Sequence, residues 1–155
     1  MQYILLADYH DNDFFALKFY PKPFRKSTKK YSLITNRGDL GNIVITCLKV
    51  IPLLLEKYPT ASFGFAGARS FDPVNKKKNK KGKTIGRWEQ LEENQRFKVY
   101  SAIVRKRIGD ITFQHFIYKE ISAYMLINRK CKNVDLKETI IKIMLSATYN
   151  HFSNR

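Results

Sequence analysis

The sequence predicts an α+β fold in a single domain: a mostly antiparallel sheet carrying about three helices, in the order ββ(β)αβαββα. Three observations carry that expectation. Short runs of aromatic and β-branched residues, separated by turn formers, occur toward both ends of the chain, and such runs fit pleated, half-buried strands. Two segments, near residues 40–57 and 92–108, repeat their apolar residues at the period of a helix, and a third such segment follows Asp135. At 155 residues the chain is long enough to bury about two thirds of the surface its unfolded form exposes, and 44% hydrophobic residues argue against disorder.

Tyr3 to Tyr9 and Phe14 to Tyr20 flank His10, Asp11, Asn12 and Asp13, which are turn formers, so a β-hairpin is expected. Pro21 and Pro23 end its second strand, a basic tract follows (Lys22, Arg25, Lys26, Lys29, Lys30), and Tyr31 to Thr35 reads as another short strand. Ile43, Val44, Cys47, Leu48, Ile51, Leu54, Leu55 and Tyr58 then form a helical stripe over about 40–57. Pro52 interrupts it: the ring removes one amide donor and crowds the carbonyl of Leu48, which predicts a kink there, or a strand to Val50 followed by a short helix starting at Pro52. Ala61 to Gly67, apolar or small on both faces, predicts a central strand, and a mobile basic loop is expected at about 72–87.

A second helix, about 92–108, presents Phe97, Tyr100, Val104 and Ile108 on one face and stops at Gly109. Ile111 to Tyr118 and Ala123 to Asn128 make a second hairpin. Asp135 followed by Glu138 is the expected start of the last helix. Its wide apolar face, with Leu136, Ile140, Ile143, Met144 and Ala147, and with Ile141, Leu145 and Phe152 beside them, predicts core packing in preference to a dimer contact.

Charge is the strongest functional signal. Lys and Arg number 29 against 13 Asp and Glu, a formal net charge of +16, well beyond what solubility requires of a small domain. The excess is uneven, with ten cations and six acids in residues 1–75 but nineteen and seven in residues 76–155. Within it, Lys76, Lys77, Lys78, Lys80, Lys81, Lys83 and Arg87 fall in twelve residues without an acid among them. Such a run repels itself unless an anionic partner neutralises it, so it is the expected polyanion site, together with Arg96 and Lys98.

Other constellations carry less. Cys47 and Cys131 form no metal or disulfide pattern. The acid and imidazole cluster Asp8, His10, Asp11 and Asp13 meets no ligand spacing, so neither metal nor cofactor is expected. Gly64 and Gly67 fit no nucleotide-loop pattern, but Arg69 at the mouth of that strand and Arg96 at the start of the following helix could fork onto phosphate, beside free helix amides. Tyr100 and His115 complete a set, Arg69, Arg96, Tyr100 and His115, with the groups a ribonuclease needs if they converge. Phe19, Tyr20 and Phe24 interleave with Lys22, Arg25 and Lys26, a mixture able to stack on unpaired bases, and no helix-turn-helix, zinc-finger or zipper pattern appears. No signal peptide is recognised, and Ile43 to Leu55 is too short to span a bilayer, so the expected location is cytoplasmic and no membrane partner is expected.

Residues 58–67 (Tyr58, Pro59, Thr60, Ala61, Ser62, Phe63, Gly64, Phe65, Ala66, Gly67), then Asn94 to Tyr100 and Ser122 to Arg129, resemble a group of small uncharacterised bacterial proteins. In these a similar strand, a Lys/Arg-Phe-x-x-Tyr helix start and a closing strand recur. The resemblance covers roughly residues 31 to 130, implies a shared fold, draws attention to Arg96 and Tyr100, and implies no activity. The function expected from the residues is nucleic-acid binding, with RNA or ribonucleoprotein favoured over duplex DNA. The alternatives are a toxin-type endoribonuclease and a basic module that docks an acidic protein.

Overall fold

The computed structural model describes residues 1–32, 38–78, 80–82 and 84–153, with side chains at 72–78, 84–85 and 146–153 left aside. The first hairpin is β1 (Tyr3–His10) and β2 (Phe14–Pro21), paired antiparallel. Its turn places Asn12 and Asp13 at positive φ, 66° and 55°, a conformation that short Asx side chains tolerate better than most. Tyr31 and Ser32, expected to open a strand, lie in a turn, and the remainder of that expected strand falls outside the described residues.

The expected long helix is two: α1 (Leu40–Leu48) and α2 (Val50–Lys57), separated at Lys49. Pro52 explains the place of the break. A helix continuous through Pro52 would drive its ring into the carbonyl of Leu48, whereas in the first turn of a new helix no intrahelical amide is lost.

β3 (Ser62–Ala66) is the middle strand of a five-stranded sheet, with β7 (Ala123–Asn128) and then β6 (Phe113–Tyr118) beyond it, in the order β1-β2-β3-β7-β6. Three of the four pairings are antiparallel, and β2 with β3 is parallel, so the sheet is mixed. α3 (Gln95–Arg107) starts three residues later than its apolar period predicts, because Asn94 caps it. α4 (Val134–Ser153) is likewise capped by Asn133, whose Oδ1 accepts from the Leu136 amide at 3.0 Å, in place of the expected Asp135.

Strand alternation divides the core in two. Phe15, Leu17, Phe63, Phe65, Tyr124 and Leu126 meet Val44, Cys47, Ile51, Phe97, Tyr100 and Val104 on the face covered by α1, α2 and α3. On the opposite face Phe14, Met125 and Ile127 meet Ile141, with Val134, Met144 and Leu145 of α4 beside them. Every residue of β7 is therefore buried, and Met125, Leu126 and Ile127 each contribute about 1.5–3 kcal/mol relative to an exposed position. The expected inward face of α4 is only partly right: Ile141 turns in, while Leu136, Ile140 and Ile143 are exposed. Gly64 is small for a visible reason, since a Cβ there would stand 2.4 Å from Cζ of Phe14, whose ring lies across it.

Buried polar side chains tie the sheet at both ends. At one end the Asn94 amide donates to Ser122 Oγ at 2.9 Å, Asn94 Oδ1 accepts from the Phe97 amide at 3.0 Å, and Asn94 Nδ2 donates to the Gly67 carbonyl. Ser122, held at φ 50°, returns its carbonyl to the Gly67 amide at 2.8 Å. At the other end the Asn128 amide donates to Ser62 Oγ, and its Nδ2 reaches the carbonyls of Pro59 and Ala61 at 3.0 and 3.1 Å. Lys137, only 8% exposed, donates from Nζ to the carbonyls of Asp13 and Thr60 at 3.2 and 3.3 Å. Burial pushes its amine below the usual lysine value, partly opposed by the Asp13 carboxylate.

Candidate nucleic-acid interface

The basic segment expected as a loop is a two-stranded antiparallel ribbon, β4 (Phe71–Lys78) with β5 (Thr84–Trp88), forming a sheet separate from the first. Its rungs are Phe71 with Trp88, Asp72 with Arg87, Pro73 with Gly86 and Lys78 with Thr84, with a register irregularity between Pro73 and Lys78. Among the described residues β4 and β5 pair only with each other, so a proline is tolerated where its missing donor would have faced away from the partner strand. Lys76, Lys77 and Lys78 lie on β4, Lys80 and Lys81 are exposed in the turn, and Arg87 is exposed on β5 opposite Asp72. Lys83 falls outside the described residues.

The foot of the ribbon is anchored by a ring of hydrogen bonds. The Phe71 amide donates to the Ser32 carbonyl at 3.1 Å, and the Glu89 amide to the Ser70 carbonyl at 2.8 Å. Glu89 returns Oε2 to the Ser70 amide at 3.0 Å and gives Oε1 to the Gln95 amide at 2.6 Å. Arg69 Nε donates to the Glu89 carbonyl at 2.6 Å, which holds its guanidinium beside the ribbon.

Aromatic rings and cations interleave at this foot. Phe71 and Trp88 sit with ring centroids 5.0 Å apart. Lys29 Nζ lies 3.6 Å from the centroid of Phe71 and 5.8 Å from that of Trp88, and the Arg69 guanidinium carbon is also 5.8 Å from Trp88. Lys30 Nζ lies over Tyr20 and Tyr31 at 4.5 and 5.2 Å. These distances are within the range in which a ring's negative face attracts a cation. The segment around residues 29–31 is thereby placed against a ribbon about 40 residues further along the chain.

Neither arginine of the expected phosphate fork is left to solvent alone, since each donates one nitrogen to a backbone carbonyl. Arg96 donates from Nη1 to the Tyr31 carbonyl and lies over Phe19, and Arg69 is directed to Glu89. Two first-turn amides of α3, those of Gln95 and Phe97, are taken by Glu89 and Asn94. Lys98, also expected at the interface, is exposed on α3.

Nor do the four candidate catalytic residues converge. Tyr100 is buried against Phe19 and Phe65. His115 engages the Tyr124 hydroxyl through Nδ1 and the Gly109 carbonyl through Nε2 at 3.0 Å. That carbonyl follows the C-terminal end of α3, whereas Arg96 lies in its first turn, about 16 Å from that end at 1.5 Å per residue.

Elsewhere, Asp8 pairs with Lys18 at 2.8 Å, and Asp13 accepts from Thr60. Among the described residues no group of three His, Cys, Asp or Glu side chains is placed to hold a metal ion. Both cysteines are free, and burial pushes the Cys47 thiol up to about 11, so it stays protonated and unreactive at neutral pH. No helix among the described residues is long and apolar enough to cross a membrane.

Trp88 and Lys29 are absent from the residues that charge clustering singles out for the site. The available signal was Trp88 one position beyond Arg87, at the end of the basic run. No family model, curated protein or solved structure matches the chain.

Proposed function

We propose that the protein binds nucleic acid through the β4–β5 ribbon and the cations gathered at its foot. One observation carries this reading: Lys76, Lys77, Lys78, Lys80, Lys81 and Arg87 share a single two-stranded ribbon, and Lys29, Lys30 and Arg69 stand at its base. Cations collected on one element neutralise a run of phosphates together, and the release of condensed counterions then drives binding. A two-stranded ribbon also fits the major groove of duplex DNA. The lack of helical DNA-reading motifs is therefore weaker support for RNA than it is in the sequence alone.

Equilibrium binding of fluorescent oligonucleotides over a range of salt tests the reading. Log affinity should fall linearly with log salt, with a slope of about −0.7 to −0.9 per phosphate contacted. Replacing Lys76, Lys77, Lys78, Lys80 and Lys81 by Gln should flatten that slope. A salt-independent affinity, or a slope unmoved by the five substitutions, would remove the ribbon from the role. Capture of an acidic protein after nuclease treatment, with no affinity for oligonucleotides, would replace the nucleic acid with a protein partner.

A further inference from the structure

We infer that Trp88 is a stacking platform for an unpaired base, so that the ligand of the ribbon is single-stranded nucleic acid; this rests on the nucleic-acid reading above. Trp88 is 46% exposed, although it belongs to the residue type that most rewards burial. Its position is nonetheless fixed. It forms the first rung of the ribbon with Phe71, and the next residue, Glu89, is hydrogen-bonded to Ser70 through both backbone and side chain. A half-open ring on a rigid mount is therefore a feature of this surface.

Its surroundings identify what would cover it. Arg69 and Lys29 each place a cation 5.8 Å from the ring centroid, and exposed Arg87 precedes it in the strand. A nucleotide offers both complements at this spacing, a flat base for the part of the indole that Phe71, Lys29 and Arg69 leave open and a phosphate for the cations themselves. An acidic protein surface offers carboxylates, and a flat ring only where an aromatic side chain accompanies them, whereas every nucleotide carries both. Duplex DNA or RNA keeps its bases stacked on one another, so that only phosphate remains for the cations.

Trp88 is the one tryptophan of the chain, so its fluorescence reports on this position alone. The intact protein would be titrated with oligouridylate, with a blunt RNA duplex of equal charge, and with heparin, a polyanion without bases. Oligouridylate should quench Trp88 saturably, and Trp88→Ala should weaken its binding about 5- to 150-fold without altering the salt slope. Trp88→Phe, which keeps an aromatic rung with Phe71, should retain most of the affinity. Duplex and heparin should bind the wild type and Trp88→Ala equally.

Oligouridylate binding that leaves the fluorescence unchanged and is equal in wild type and Trp88→Ala overturns the inference, yet the ribbon reading stands. A loss on Trp88→Ala that is as large for duplex and heparin overturns it too, by exposing a structural effect. Failure of every oligonucleotide to bind removes both.

Discussion

The five-stranded body and the two-stranded ribbon hold themselves together by different means. In the body, β7 is buried on both faces and flanked on both edges, so its order is fixed by packing that surrounds it. Among the described residues no further strand pairs with the ribbon. An isolated hairpin is marginal in water, and this one is secured at its foot by the Phe71–Trp88 rung, the Ser70–Glu89 exchange and the approach of Lys29. The difference shows how a small protein can display a dense positive charge without destabilising its core: the self-repelling cations sit on an element that is tied down at one end.

Four measurements would break or sharpen that contrast. The largest effect is expected from Gly64→Val, because a Cβ at that position meets the Phe14 ring at 2.4 Å. The chemical-denaturation midpoint should report a destabilisation of about 3 kcal/mol, whereas a change near zero would mean that the body yields as readily as the ribbon.

Asn94→Ala comes next. It removes the cap on the Phe97 amide and leaves the buried Gly67 carbonyl without its side-chain donor, which together cost about 2–3 kcal/mol. Asn94→Asp should cost at least as much as Ala, since it keeps the acceptor but sets a buried carboxylate oxygen against the Gly67 carbonyl.

Lys137→Met should produce a smaller, pH-dependent difference. Burial lowers the native amine pKa from its ordinary 10.5, so above the native value the unfolded chain holds this proton more tightly than the folded one does. Wild-type stability should therefore gain from this group as pH rises through the native value toward 10.5. Tyr31 and Tyr124, whose phenols burial pushes above 10.0, act in the opposite sense once pH exceeds that figure. Denaturation midpoints of wild type and Lys137→Met, compared over rising pH up to 10, isolate the lysine contribution. Parallel curves would show that Lys137 is not desolvated.

The smallest stability change is expected from Lys80→Ala and Lys81→Ala, within about 0.5 kcal/mol each. Thermal unfolding should hardly register them, even though the salt slope of nucleic-acid binding should fall by about 0.7–0.9 for each phosphate that is no longer neutralised.

The same contrast separates what could be read from the residues from what could not. Both sheet hairpins, the central strand and α3 announce themselves through apolar periodicity, because each has a face to bury. The ribbon announces nothing of the kind. Lys and Asn are poor strand residues, and without an apolar face β4 has no period of two to reveal. The rotation of α4 is hidden for a related reason: apolar residues occupy adjacent stripes, and only packing against β7 selects the one through Ile141. At the site, clustering located the cations of the ribbon but not Trp88, Lys29 or the diversion of Arg96 to Tyr31, which depend on segments far apart in the chain.

The seat of β3 between β2 and β7 has a consequence for biosynthesis. About 60 residues separate β3 from β7 in the chain, so at about 5–20 residues per second a ribosome needs several seconds to supply the partner after β3 itself has emerged. Throughout that interval Phe63, Gly64 and Phe65 form part of an open, apolar margin able to recruit another nascent chain. Slower initiation or added chaperone should accordingly raise the soluble yield more than any change made to the lysines.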